Sequence, residues 1–164
     1  MALSSYAAFW FLPFALPISI WVAWNDMKFM KIPNKAVGAL TIVFLVIGLV
    51  ALPFEDYAWG WLHLLVVLAV GFVLNMVGSI GAGDAKFAAA MAPFVALGDL
   101  RMLLFLFAAV LLAAVATHRI FKRSAAFRAK TSDWASWTNS DFPMGLALGG
   151  TLIFYLLSAA AFGA

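Results

Sequence analysis

The sequence predicts an all-α polytopic membrane protein, with six transmembrane helices in a single domain that covers residues 1–164. Apolar residues make up 66% of the chain and charged residues only 10%, whereas soluble domains contain about 25% charged residues. The mean hydropathy is +1.06. The 7 acids and 10 bases are too few to cover a water-exposed surface, so the composition favours lipid as the main solvent.

Six apolar runs, separated by polar turns, are the predicted spans. A transmembrane helix needs about 20 mostly apolar residues. No Lys or Arg precedes the first run, so we interpret it as a retained helix and not as a secretory signal peptide. Pro13 and Pro17 are expected to bend this helix. The runs are residues 6–24, 36–53, 61–80, 87–98, 102–117 and 142–162.

The fourth run is short for a membrane span. From Asp84 to Gly98 a helix would measure about 22 Å, against about 30 Å of hydrocarbon in a bilayer. Either Asp99 and Arg101 are drawn towards the outer interface, or Asp84 lies below the cytoplasmic membrane surface in a cavity lined by protein. The run lengths permit both arrangements.

The loop charges predict the orientation of the spans. Six spans place alternate loops on opposite sides, and 9 of the 10 bases then fall on one side. The positive-inside rule makes that side cytoplasmic and places both termini outside. Orientation thus accounts for the net charge of +3, and we expect the lipid bilayer, and no nucleic acid, as a partner. The bases on this side are Lys28, Lys31, Lys35, Lys86, Arg119, Lys122, Arg123, Arg128 and Lys130.

The polar segment 118–141 joins the last two runs and mixes five bases with aromatic residues. Such a mixture is typical of a stretch that lies on the membrane interface. A solvated basic loop fits the same composition equally well. The aromatic residues in question are Phe121, Phe127, Trp134 and Trp137.

The residue types that are missing narrow the chemistry. The chain has no cysteine and two histidines, which excludes disulfides, cysteine nucleophiles and thiolate metal sites. His63 falls at the outer end of the third run and His118 at the end of the fifth, and neither is expected to be catalytic. We therefore expect no metal site and no cofactor.

Asp26 and Asp84 are the candidate catalytic residues. Ionisable groups at the edges of spans are costly and often functional, and the topology places both aspartates at cytoplasmic helix ends. Two adjacent carboxylates share a proton, so one can activate a water while the other donates to a peptide carbonyl. The alternatives are structural, because Asp84 could cap the fourth helix and Asp26 could pair with Lys28. Gly81 and Gly83 would allow close approach to Asp84 or serve helix packing.

Two strings in this sequence together resemble the type IV prepilin peptidases, which are membrane aspartic proteases. In the first string, Asp26 is followed after five residues by Ile32-Pro33-Asn34; the second is Gly81-Ala82-Gly83-Asp84-Ala85-Lys86. In that family one catalytic Asp precedes an Ile-Pro-Asn turn and the other ends a Gly-x-Gly-Asp motif. Phe142-Pro143-Met144-Gly145 is similar, more loosely, to the start of the family's final helix. With the six-span layout, the resemblance covers essentially the whole chain.

The resemblance implies an aspartic endopeptidase that cleaves prepilins at the cytoplasmic face of the bacterial inner membrane. Cleavage would fall between a short basic leader and the hydrophobic helix of the pilin. Asp26 and Asp84 would form the catalytic pair, and pilus-assembly machinery would be a further partner. Lys86 fits the role of a positive-inside anchor equally well. Binding the substrate or shaping the site would fall to Pro33, Asn34, Gly81, Gly83, Lys86, Pro143 and Gly145.

One departure from the family pattern concerns the loop after Asp26. Longer members carry a cytoplasmic insertion there, often with zinc-binding Cys-x-x-Cys motifs, and also N-methylate the new pilin terminus. Residues 25–35 contain no cysteine and leave no room for such an insertion. The chain therefore resembles the short form found with tight-adherence (Flp) pili and archaeal-type preflagellin systems, and we expect peptidase activity without methyltransferase activity.

Two other functions fit parts of the sequence. Presenilin-like and signal-peptide-peptidase-like enzymes also use Gly-x-Gly-Asp, but they place the first Asp in a Tyr-Asp pair and add a Pro-Ala-Leu motif. Here Asn25 precedes Asp26, and no Pro-Ala-Leu occurs. A small ion-coupled transporter or a non-catalytic assembly protein would use both aspartates to bind ions or cap helices, although transporters place such charges near the bilayer midplane.

Overall fold

Helices account for all the regular structure in the computed structural model, which describes residues 1–164 and contains no strand. The predicted all-α fold class is therefore confirmed. The α-helices are α1 (Ser5–Phe29), α2 (Asn34–Ala51), α3 (Phe54–Met76), α4 (Ala82–Met91), α5 (Leu100–Arg123), α6 (Ala125–Lys130) and α7 (Met144–Phe162).

Five segments are long and apolar enough to cross a membrane. Four of them are α1, α2, α3 and α7, and the fifth, Leu97–Arg123, contains α5. The predicted run at 87–98 does not form a helix of that length. Instead α4 has only 10 residues and leads into two 3₁₀ turns, Ala92–Phe94 and Leu97–Asp99. Pro93 contributes to this early end, because it has no N–H to donate to the carbonyl four residues earlier.

The central pair of the bundle is α1 and α7, which make the most extensive contact in the molecule. They are antiparallel, since the N-terminal ammonium group donates to the carbonyl oxygen of Phe162 at the far end of α7. Gly149 allows the two backbones to approach closely, because a Cβ there would lie 2.7 Å from the Ser19 carbonyl oxygen. α1 continues through Pro13 and Pro17 as one helix.

An aromatic cluster joins α1, α2, α3 and the 3₁₀ turn after α4. Phe44 stacks on Tyr57 with ring centroids 5.3 Å apart, and Phe11 meets Phe94 edge to face at 4.8 Å. Phe11, Phe44 and Phe94 are fully buried. The cluster lies about 22 Å along α1 from Asp26, so the best-packed part of the core is distant from the candidate catalytic residues.

Asp99 closes the end of the bundle opposite Asp26. Its carboxylate accepts hydrogen bonds from the backbone N–H groups of Ala2 (2.7 Å) and Leu3 (3.0 Å) and from the Tyr155 hydroxyl (3.0 Å). The residue is only 6% exposed. The sequence shows Asp99 only as a polar residue between two apolar runs, but the structure makes it a buried, fully bonded link between the N-terminus and α7.

Residues 84–99 join the two ends of the bundle over fewer residues than α1 does. The path from Leu3 to Asp26 is about 34 Å long as a helix, whereas a regular helix over 84–99 would measure about 22 Å. The residues after α4 make up part of the difference, because 3₁₀ and extended residues rise by about 2 Å or more each. The unwound segment thus lets a short α4 bring Asp84 towards the Asp26 end.

Candidate active site

Asp26 lies near the end of α1, with its carboxylate directed at the first turn of α7. The residue is 5% exposed, and its Oδ2 accepts a 2.6 Å hydrogen bond from the backbone N–H of Gly145. Gly145 is the second residue of α7, where backbone N–H groups have no partner inside the helix. Asp26 therefore caps a helix that begins more than 100 residues later, and its negative charge suits the helix dipole.

Gly145 leaves no space for a larger residue beside Asp26. A Cβ at position 145 would lie 2.8 Å from the Asp26 Cβ and 3.0 Å from Oδ2. Pro143, the residue before α7, is fully buried, and its missing N–H costs nothing at a helix start. Within residues 142–145, Gly145 thus makes the contact with Asp26.

Asp84 lies in the first turn of α4 and is partly exposed. It is not the N-cap of that helix, because Gly81 occupies the cap position. The Asp84 carboxylate turns back over Gly81, so that a Cβ on Gly81 would lie 2.5 Å from Oδ2. The same carboxylate is within electrostatic range of Asp26. The structure therefore brings the two candidate catalytic residues to one end of the bundle.

The turn after Asp26 is in contact with the glycine-rich turn before Asp84. Lys86 Nζ donates to Asn34 Oδ1 over 3.4 Å. A Cβ on Gly83 would lie 3.3 Å from the Ile32 Cβ, so glycine at 83 permits close packing of the two turns. Pro33 precedes α2 at its cap position. The two strings, which are far apart in sequence, are thus in contact.

Met30 ends α1 in the left-handed backbone region, with a φ of 53°. Its N–H donates to the Asp26 carbonyl oxygen at 2.9 Å, which closes the helix about one turn after the candidate catalytic residue. Such a conformation costs a non-glycine residue about 1–3 kcal/mol and is often found at functional sites. Sequence reasoning missed this residue, because methionine carries no signal for a left-handed turn.

Lys28 pairs with Asp133. The alternative interpretation, in which Lys28 pairs with Asp26, is therefore wrong. The Lys28 Nζ is 2.8 Å from Asp133 Oδ2, and the ammonium group holds the pKa of Asp133 below its ordinary value. Trp24 meets Trp134 edge to face, with ring centroids 4.9 Å apart. Part of the segment 118–141 therefore lies against the end of α1 that carries Asp26, a contact that no sequence pattern predicted.

The aromatic residues of this segment pack against one another, and of the four only Trp137 is buried. Phe127 contacts Phe121, with centroids 4.4 Å apart, and meets Trp137 edge to face. His118 is buried and stacks on Trp137 at 5.1 Å. The segment is thus a folded cap that contains α6. The interpretation as a solvated loop is wrong for the aromatic residues that pack against one another.

No group of three His, Cys, Asp or Glu side chains could hold a metal ion. A cavity of about 460 Å³ lies at the opposite end of the bundle and includes His63 and Trp59. None of the predicted site residues lines it. The Asp26 end of the bundle carries two carboxylates, of which Asp26 is buried with a backbone donor and Asp84 is partly exposed. Such a pair can act in general acid–base catalysis.

Comparison with known families decides the membership of the chain. A model of the type IV leader peptidase family matches residues 13–117. The matched region contains Asp26, the Ile-Pro-Asn turn and the Gly-x-Gly-Asp motif. The chain belongs to this family. No curated protein and no solved structure matches it.

The type IV leader peptidase match ends before segment 118–141 and α7. Gly145, outside the matched region, nevertheless donates to Asp26. Asp133, also outside it, pairs with Lys28, which lies two residues after Asp26. Residues beyond the matched region therefore complete the surroundings of the candidate catalytic pair.

Proposed function

We propose that this type IV leader peptidase is an aspartic endopeptidase in which Asp26 and Asp84 remove the leader of Flp-like type IV prepilins. The observation that carries the proposal is the meeting of two distant strings at one end of the bundle. Asp84 lies within electrostatic range of Asp26, and Lys86 of the second string donates to Asn34 of the first. Hydrolysis needs both an acid and a base, and a single aspartate could not supply both at once.

Peptide hydrolysis by this pair needs one carboxylate ionised and the other protonated. The ionised one accepts a proton from a water molecule, whose oxygen attacks the carbon of the scissile carbonyl, while the protonated one donates its proton to the carbonyl oxygen. Collapse of the tetrahedral intermediate breaks the C–N bond, and a proton passes to the leaving amine. The acid and base roles belong to the pair as a coupled unit.

Residues next to the two aspartates position their carboxylates. Gly145 donates to Asp26, and Gly81 gives the Asp84 carboxylate the space into which it turns. We propose that the remaining residues act around the pair or on the substrate. These residues are Pro33, Asn34, Gly83, Lys86 and Pro143.

We further propose six crossings of the bacterial inner membrane, with both termini outside and the site at the cytoplasmic face. The fourth crossing would consist of α4 and the two 3₁₀ turns that follow it. The charge distribution supports this orientation, because 9 of the 10 bases lie in segments at the Asp26 end, and basic loops stay in the cytoplasm. The exposed acids Glu55 and Asp56 lie with Arg101 at the opposite end.

The short turn between α1 and α2 supports peptidase activity without methyl transfer, since residues 30–33 alone separate the two helices. A transporter is the competing function, but the two candidate aspartates lie at ends of their helices, whereas transporter sites lie near the midplane. Prepilin is the proposed substrate, and pilus-assembly machinery the proposed further partner.

Co-expression with a Flp-type prepilin tests this function. We expect the prepilin to lose its basic leader, with mass spectrometry placing the new N-terminus directly before the hydrophobic helix and carrying no methyl group. An intact prepilin beside correctly inserted enzyme would contradict the proposed substrate class. A methylated terminus would contradict the proposed absence of methyltransferase activity but not the peptidase activity.

A further inference from the structure

A basic corner, defined as residues 119–130, lies where the last turn of α5 meets α6. It holds half of the bases of the chain, and no acid occurs between Leu100 and Ser132. Four of its five bases are exposed, and the fifth, Lys122, donates to the Asn139 carbonyl oxygen at 3.5 Å. The peptidase mechanism uses none of them. The bases are Arg119, Lys122, Arg123, Arg128 and Lys130.

The length of α5 places the basic corner at the level of lipid headgroups. The helix has 24 residues, or about 36 Å, and therefore exceeds the hydrocarbon thickness of about 30 Å. With Arg101 at one interface, the last turn of α5 emerges at the other. α6 is held at the same level, since Ser124 caps it by accepting from the Phe127 N–H and the Phe127 ring packs on Phe121.

Apolar side chains are interleaved with these bases. Ile120 is 66% exposed and Phe121 39% exposed, although both adjoin charged residues. Basic side chains beside exposed apolar ones suit the boundary between headgroups and acyl chains, where each part finds its own solvent. A cytoplasmic protein partner would need no such apolar neighbours at membrane level.

We propose that the basic corner binds anionic phospholipid headgroups of the leaflet in which it lies. Clusters of four to eight Lys or Arg residues directly beside a membrane span attract anionic lipids electrostatically. The proposal does not depend on the peptidase function. The residues that follow the corner contact α1 through the Lys28–Asp133 and Trp24–Trp134 pairs.

Lipid selectivity of the purified full chain tests the proposal. The chain is reconstituted in phosphatidylcholine bilayers with trace spin-labelled phosphatidylglycerol or spin-labelled phosphatidylcholine, and the motionally restricted fraction of each label is measured. We expect wild type to prefer the anionic label by at least about threefold. The variant R119Q/R128Q/K130Q should reduce this preference to near unity, and K31Q/K35Q/R101Q, with the same loss of charge from exposed positions elsewhere, should retain it.

Three results would overturn the proposal. Wild type could show no preference for the anionic label, which is the result expected if the basic corner instead serves an acidic protein segment. The R119Q/R128Q/K130Q variant could keep the wild-type preference. Both triple variants could lose it equally, which would assign the preference to net charge and not to this corner. Thermal unfolding of each variant verifies that the exposed substitutions leave the fold intact.

Discussion

The backbone N–H of Gly145 donates to Oδ2 of Asp26 over 2.6 Å, so the last helix of the bundle holds the carboxylate carried by the first. Glycine is required there, because a Cβ would lie 2.8 Å from the Asp26 Cβ. One helical turn further, Gly149 lies against the Ser19 backbone. The spacing of α1 and α7 therefore sets the position of the Asp26 carboxylate relative to the start of α7.

Gly149→Ala should lower kcat for leader cleavage by about 10- to 100-fold with little change in KM. The added methyl would lie 2.7 Å from the Ser19 carbonyl oxygen, a backbone atom that cannot rotate away, and a displacement of about 1 Å at a catalytic group costs about 100-fold. Initial rates with a purified prepilin measure the effect. Gly150→Ala is the matched control, because its methyl would meet only the Val110 side chain at 3.0 Å. Equal losses in the two variants would show that the α1–α7 spacing does not govern the rate.

Asp99→Asn should destabilise the protein by about 1–3 kcal/mol while leaving kcat of the folded enzyme unchanged. Asp99 accepts three hydrogen bonds, and an amide nitrogen in place of one carboxylate oxygen would face an N–H donor. Thermal unfolding in detergent measures the loss, with the exposed Asp56→Asn as control. A stable but inactive Asp99→Asn variant would indicate that this end of the bundle takes part in catalysis.

The ion pair of Lys28 and Asp133 should contribute stability that depends on pH. The pKa of Asp133 is lowered in the folded protein, so the contribution is fully present above the ordinary carboxyl value of 3.8 and is lost as the pH falls through the lower folded value. Asp133→Asn should therefore lower Tm at pH 7 and have a diminishing effect in acid. High salt at pH 7 should also reduce the difference, because the pair is solvent-exposed. A difference that grows in acid would contradict the assignment.

Removal of metal ions should leave cleavage intact. The mechanism uses two carboxylates and a water molecule, and no group of three ligating side chains is available. Incubating the purified enzyme with EDTA and measuring the initial rate tests this expectation. Strong inhibition that is reversed by added metal would argue for a different mechanism.

Hydropathy correctly predicted the helices that are uniformly apolar over about the thickness of a bilayer. The fourth run was predicted as a span, because a hydropathy window cannot distinguish a helix from unwound apolar backbone. Pro93, in the middle of the run, was the available signal. The next residue, Phe94, packs on Phe11 and Phe44, which lie on other helices, so the sequence around Pro93 could not reveal how the unwound segment is accommodated.

The candidate site was predicted to the extent that it is encoded in local strings. Asp26, Asp84 and their adjoining turns were recognised from such strings, and the structure brings them together. The partner of Lys28 was not predicted, because Asp133 lies in a distant loop and pairing depends on tertiary packing. The same holds for Asp99, whose three donors come from the N-terminus and α7.

The most direct test of the catalytic pair is the rate of leader cleavage by purified Asp26→Asn, Asp84→Asn and the double variant, with Asp56→Asn as an exposed control. Each single variant should lose about 10²–10⁴-fold in kcat, and the double variant should lose little more, because the two carboxylates act as a unit. All variants should insert in the membrane and remain folded, as a cooperative thermal unfolding transition verifies. Either single variant cleaving prepilin at near the wild-type rate would contradict the assignment of Asp26 and Asp84 as the catalytic pair.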